Sequence, residues 1–138
     1  MNVAANNKNG TSLVFCRENV DPQVVTHLLG LTPTEATSVG QRVKGLSGED
    51  YTTHLGTWKL KLLGPDQDLT VEEQIGKWIG LLSPKVSALA ELAERGYRPY
   101  LDCQAESKSL SLCIDPEVLV QLGGLHIALS VWLYELPD

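Results

Sequence analysis

The sequence predicts an α+β fold: an open-faced two-layer sandwich, a ferredoxin-like variant with an inserted helical pair. Three observations carry that expectation. Strand-like runs alternate apolar and polar residues, which buries one sheet face and leaves the other open. Helical runs each carry one apolar stripe, which suits a single helical layer on a single sheet face. An apolar run also leads twice into an Asp-Pro helix start, at Val20-Asp21-Pro22 and again at Ile114-Asp115-Pro116. From each Asp the match continues without a gap, Leu28 and Gly30-Leu31 being answered by Leu122 and Gly124-Leu125. Two readings of that repeat are open: equivalent halves of one fold, or two independent uses of a common helix start.

The elements follow in order. Residues 1–10, rich in Asn and Ala, read as a disordered lead, and 11–138 as one domain. Thr11 to Arg17 is a short apolar strand. Asp21 is placed to cap a helix, its carboxylate accepting from the free N–H groups of the first turn, with Pro22 at the position where a missing N–H costs nothing. Val24 with Leu28, and Val25 with Leu29, form its stripe, and Gly30 supplies a left-handed stop. Leu31 to Leu55 has little periodicity and much Thr, Ser and Gly, so it reads as a long loop with a basic tip, Gln41-Arg42-Val43-Lys44. Loops beyond roughly 15 residues are uncommon in compact domains and are often functional.

Gly56 to Leu63 is the clearest strand: Trp58, Leu60 and Leu62 alternate with Thr57, Lys59 and Lys61. Gly64-Pro65-Asp66 ends it. Thr70-Val71-Glu72-Glu73 is a capping box and opens a helix carrying Ile75, Trp78, Ile79 and Leu82. Ser83-Pro84 interrupts that helix, and a second one follows with Val86, Leu89, Leu92 and Ala93 as its stripe, closed by Gly96. Tyr97 to Ala105 reads as a strand with an irregular start at Pro99. A hairpin turn at Ser107-Lys108 then leads into a strand through Leu110, Leu112 and Ile114. The second Asp-Pro helix runs to about Leu122, with Gly123-Gly124 as its stop. His126 to Tyr134 is the last strand. The predicted order is β-α-β-α-α-β-β-α-β.

Bulk properties narrow the function. A net charge of −6 over 138 residues disfavours nonspecific nucleic-acid binding, which needs clustered Lys and Arg. No run reaches the roughly 18 apolar residues of a membrane span, and the expected location is the cytoplasm. Three cysteines cannot build a full disulfide framework. Cys16 and Cys113, both in apolar runs, are expected to be buried reduced thiols. No CxxC pair points to zinc. His27, His54 and His126 lie far apart without metal-binding spacing, and no GxSxG elbow or phosphate loop is present. Glu72-Glu73 is accounted for by capping and the helix dipole. No catalytic residue, metal or cofactor is therefore assigned, and whether the chain is an enzyme stays open, with the weight against it.

The sheet face turned away from the helices is the more informative surface. The strand phases put Lys59, Lys61, Arg98, Tyr100, Gln104, His126, Trp132 and Tyr134 on it. Aromatic and cationic groups on an open sheet suit a planar ligand, a strand or a second copy of the domain. The competing reading is that Trp132 and Tyr134 are covered by the N-terminal lead or the long loop. RNA stacking is disfavoured by the acidity and by the missing aromatic signature.

Taken in order, these motifs resemble an uncharacterised bacterial family, domain-of-unknown-function family 4279. The resemblance is carried by Asp21-Pro22 with Leu28 and Gly30-Leu31, Pro33 and Gly40, Gly56-Thr57-Trp58, Leu82-Ser83-Pro84, and the Leu119 helix leading to a terminal strand ending at Tyr134. It spans almost the whole chain. It implies a small bacterial α+β protein with no assigned activity, cofactor or catalytic residues, so no functional position is transferred.

The expectation is a noncatalytic binding or interaction module of immunity or regulatory type, with a protein partner or second copy rather than a small molecule, nucleic acid or membrane. Its candidate binding residues are Trp58, Tyr100, His126, Trp132, Tyr134 and Arg42. The alternative is a small-molecule-binding domain or small enzyme that uses residues 32–56 as a lid over His54, Trp58 and Tyr100.

Overall fold

The structure, a computed structural model, describes residues 10–62, 66, 68–106 and 111–134. The readings of the N-terminal lead, of Gly64-Pro65 and of the Ser107-Lys108 turn fall outside those residues.

The elements are β1 (Gly10–Arg17), α1 (Pro22–Leu29), β2 (Glu35–Thr37), β3 (Arg42–Lys44), β4 (Asp50–Thr52), β5 (Gly56–Lys61), α2 (Val71–Leu82), a 3-10 turn (Ser83–Lys85), α3 (Val86–Glu94), β6 (Tyr100–Glu106), α4 (Pro116–Gly124) and β7 (Ala128–Tyr134). Five strands form one sheet in the order β2-β5-β1-β6-β7, and β3 and β4 form a separate two-stranded ribbon. Neighbours run antiparallel except β6 and β7, which are parallel. Helices α1, α2 and α4 pack on the sheet and α3 packs on α1, which makes the α+β, two-layer architecture that the sequence predicts.

The connectivity is the chain's own. The first strand–helix–strand passage, β1 to β5, joins antiparallel neighbours, whereas the second, β6 through α4 to β7, joins parallel ones. The two Asp-Pro segments therefore sit in unlike settings. At the first, the Asp21 carboxylate accepts from the Gln23 amide at 3.0 Å, and the Asp21 amide donates to the Tyr97 hydroxyl at 3.0 Å. At the second, Asp115 occupies the cap position without a side-chain cap bond.

Four further expectations are corrected. Residues 111–114, expected as a strand, belong to none. Leu112 and Ile114 do pack against the core while Ser111 and Cys113 are exposed, so the alternation reflects one-sided burial without a ladder. Cys113 is thus an exposed thiol and Cys16 a half-buried one, while Cys103 is the buried one. Gly123-Gly124 does not stop its helix, which runs through both. The chain leaves α4 through Leu125 and through His126, which takes the left-handed φ of 62°. The long loop is not structureless either: β2 joins the main sheet beside β5, and the β3–β4 ribbon fills the middle of the segment.

Polar pins fix how the layers dock. The buried Thr11 hydroxyl donates to Gln74 Oε1 at 2.8 Å and accepts from the Trp78 indole N–H at 2.8 Å, joining β1 to α2. The Trp58 indole N–H donates to Thr26 Oγ1 at 2.9 Å, joining β5 to α1. Buried polar groups satisfied in this way add orientation to a layer contact that is otherwise apolar. Where β1 turns toward α1, a side chain at Gly56 would meet the Val20 carbonyl carbon at 2.7 Å, closer than any Cβ contact. Only glycine fits there.

Candidate functional site

Strand parity divides the sheet into two chemically different faces. Leu13, Phe15, Trp58, Leu101 and Cys103 are fully buried in the core, with Phe15 and Trp58 meeting edge to face at 5.6 Å. The opposite face carries matched rows set by the ladders. Glu35, Lys59, Val14, Tyr100 and Ala128 lie across all five strands, and the next row runs Lys61, Ser12, Asp102 and Ser130. Gln104 is beside Trp132, and Glu106 beside Tyr134.

The β6–β7 end of this face forms a shallow depression of about 640 Å³. Tyr100, Asp102 and Gln104 line it from β6, and Ser130, Trp132 and Tyr134 from β7. Trp132 is 56% exposed and Tyr134 44% exposed, on a strand that contains no charged residue. Burial, then Cys16 and Asp102, push the Tyr100 phenol above its ordinary value, so its hydroxyl stays a donor. The surface thus offers apolar ring area, a phenol, a carboxamide, a hydroxyl and a carboxylate. That is a set for contact and hydrogen bonding. It does not present a nucleophile held against a base, the arrangement that covalent catalysis needs.

Of the six candidate residues, Tyr100, Trp132 and Tyr134 come together here. Trp58 is excluded from any surface because its ring is fully buried and its N–H is spent on Thr26. Its place in the alternation of β5 is that of the buried face. His126 is exposed in the α4–β7 turn and does not line the depression. Arg42 lies on the separate ribbon, 4.0 Å from Asp50 across an exposed pair. Asp102 and Ser130 complete the site and were not among the candidates. Parity alone places Asp102 beside Tyr100 and Ser130 beside Trp132, but only the β6–β7 register brings the two strands' residues into one row.

The lid arrangement is not assembled as expected. A second cavity, about 430 Å³, lies between the ribbon and the β5 end, lined by Thr37, Val43, Tyr51, His54, Leu55 and Thr57. His54 is in it, but neither Trp58 nor Tyr100 is. Among the described residues no three His, Cys, Asp or Glu side chains converge as metal ligands, and no helix is long and apolar enough to cross a membrane.

A family model described as a domain of unknown function (DUF4279) matches residues 7–136. No curated protein and no solved structure matches the chain.

Proposed function

We propose that this chain, which belongs to the DUF4279 family, is a noncatalytic interaction module that binds a protein partner on the open face of its sheet. The observation that carries the reading is the pair Trp132 and Tyr134, large, exposed and beside Tyr100 in one depression. Aromatic side chains of this kind dominate interface energetics because each buries much area at small entropic cost. An immunity-type or regulatory role in a bacterial cytoplasm fits this reading. The bacterial setting is part of the proposal and is supported only by the resemblance of the motifs. Three unpaired cysteines, one of them an exposed thiol, support a reducing compartment.

The test is affinity capture with wild-type chain and with the Tyr100→Ala and Trp132→Ala variants, each checked for an unchanged unfolding midpoint. A partner that is held by wild type and lost by both variants is the expected result. A partner whose binding ignores both substitutions, or a substrate that the purified chain turns over, would falsify the reading.

The second cavity favours one alternative, a small-molecule site under the β3–β4 ribbon around His54. A ligand bound there raises stability by RT ln(1 + [L]/Kd). In a thermal-shift screen, a hit abolished by His54→Ala and untouched by Trp132→Ala selects this alternative.

A further inference from the structure

We propose that the partner at the β7 edge is a second copy of this chain, docked antiparallel about a two-fold axis at Val131. The inference rests on the interaction reading above and makes the binding surface a product of two chains.

Backbone geometry sets the register. β7 is the last strand of its sheet and, among the described residues, pairs only with β6. The Ala128 amide donates to the Pro99 carbonyl at 3.1 Å. In a parallel ladder alternate residues turn both N–H and C=O toward the same neighbour. Ala128, Ser130, Trp132 and Tyr134 therefore spend their backbone groups on β6, and Leu129, Val131 and Leu133 point theirs at the free edge. A two-fold at Val131 sets Val131 opposite itself and Leu129 opposite the partner's Leu133. These are the residues with outward groups, and antiparallel hydrogen-bonded pairs exchange both bonds. The register that overlaps the strand fully is also the one that satisfies its free edge.

Side chains agree with it. In the intervening pairs, where side chains stand closest, Ser130 faces the partner's Trp132 and Ala128 faces the partner's Tyr134. A small residue meets a large one each time. Like charges set opposite each other destabilise a ladder, and two copies of a chain of net charge −6 meet without that penalty along a strand reading Ala-Leu-Ser-Val-Trp-Leu-Tyr. Natural sheet edges are usually blunted by charge or by short length. The opposite edge is blunted in this way: β2 has three residues, and its Glu35 is tied to Lys61 at 3.1 Å. β7 carries neither safeguard. Pairing would join two five-stranded sheets and bring the partner's Trp132 beside Ser130, a residue that lines the depression. Each copy thereby extends the other's binding surface.

Sedimentation equilibrium of the wild-type chain is expected to give twice 15.1 kDa. Val131→Pro deletes the outward amide and leaves the β6 ladder intact, so it is expected to give the single-chain mass with an unchanged circular dichroism spectrum. Val131→Lys sets like charges on the two-fold and serves as a second route to the monomer if the proline variant does not fold. In a Cys113→Ser background, Val131→Cys should cross-link on oxidation, since paired strand residues lie within disulfide reach, and Val120→Cys on α4 should not. A wild-type mass of one chain overturns the proposal, whether the edge is then covered from within the same chain or left free. So does a dimer that survives both Val131 substitutions. Tyr100→Ala separates this outcome from failure of the open-face reading: partner binding lost with the dimer retained concerns that face alone, and dimer lost through Val131 with partner capture retained concerns the edge alone.

Discussion

Asp21 and Asp115 show how one residue type at equivalent positions does different work. Both precede a proline that opens a helix, but only Asp21 closes the cap bond to an amide two residues on. Asp21→Ala should cost about 1 kcal/mol, the usual loss for a broken N-cap. Asp115→Ala should stay within about 0.5 kcal/mol, as an ordinary surface substitution does. Urea unfolding midpoints of the two variants measure the difference, and equal losses would contradict the structure. Cys103 offers a second test at this scale. Burial, followed by the nearby Asp102 charge, pushes its thiol up to about 12 from 9.0. As pH rises above 9 the unfolded chain releases this proton while the folded chain keeps it. The unfolded state then binds fewer protons, and stability falls with rising pH across the window from about 9 to 12. Cys103→Ala should flatten that slope in alkaline denaturation curves. The exposed Cys113 should react with a thiol reagent in the native state, and Cys103 only on unfolding.

The elements owe their starts and stops to local chemistry and their partners to distant residues. α2 begins at a complete capping box, with the Glu73 amide donating to Thr70 Oγ1 at 3.1 Å and the Thr70 amide donating to Glu73 Oε1 at 3.0 Å. It ends where Ser83-Pro84 tightens the chain into a 3-10 turn before α3, and the Ser83 hydroxyl donates back to the Ile79 carbonyl at 2.6 Å. Gly80 sits inside α2 on the exposed side, and an added Cβ there meets nothing within 4 Å. Gly80→Ala is therefore expected to stabilise the protein by up to about 1 kcal/mol through helix propensity alone. A thermal midpoint that falls instead would show that this helix face is covered. β2 is held more weakly. Its Glu35–Lys61 pair is short but exposed, and pairs of that kind contribute about 0.2–1 kcal/mol.

In the whole molecule, stability is unevenly spread. β1 lies at the centre of the sheet with ladders on both sides, and its Leu13 and Phe15 are completely buried. The β3–β4 ribbon stands apart from that sheet, and Tyr51 and Leu46 are among its exposed residues. Few buried contacts and exposed backbone bonds make a segment open first. Native-state hydrogen exchange should accordingly show the amides of 42–52 exchanging far ahead of those of 12–15. Equal protection would mean that the ribbon is packed against something. This unevenness also bears on function. The exposed aromatic surface lies at the β6–β7 end, on a well-laddered strand pair, so the partner proposed for it would meet a surface that is already formed and would lose little entropy in ordering it.

The amino-acid sequence determined what depends on neighbours along the chain. The capping box, the Pro84 break, the Asp21 cap and the alternation in β5 and β6 act over one to four residues, and each appears where the spacing places it. The class of fold follows from the same periodicities, because a one-sided stripe and a one-sided strand must bury those sides together. Tertiary structure decided what depends on who pairs with whom. Leu112 and Ile114 have the pattern of a strand but find no ladder, whereas Glu35–Thr37, too short to show a period, becomes the edge of the main sheet. The candidate site divides in the same way. Parity puts Trp132 and Tyr134 on the open face and Trp58 on the buried one, while the exposure of the first two is decided by the tertiary structure. The joining of Asp102 to Ser130 came only from the parallel register of β6 and β7, since hydrogen bonds between strands distant in sequence carry no signal in either strand alone.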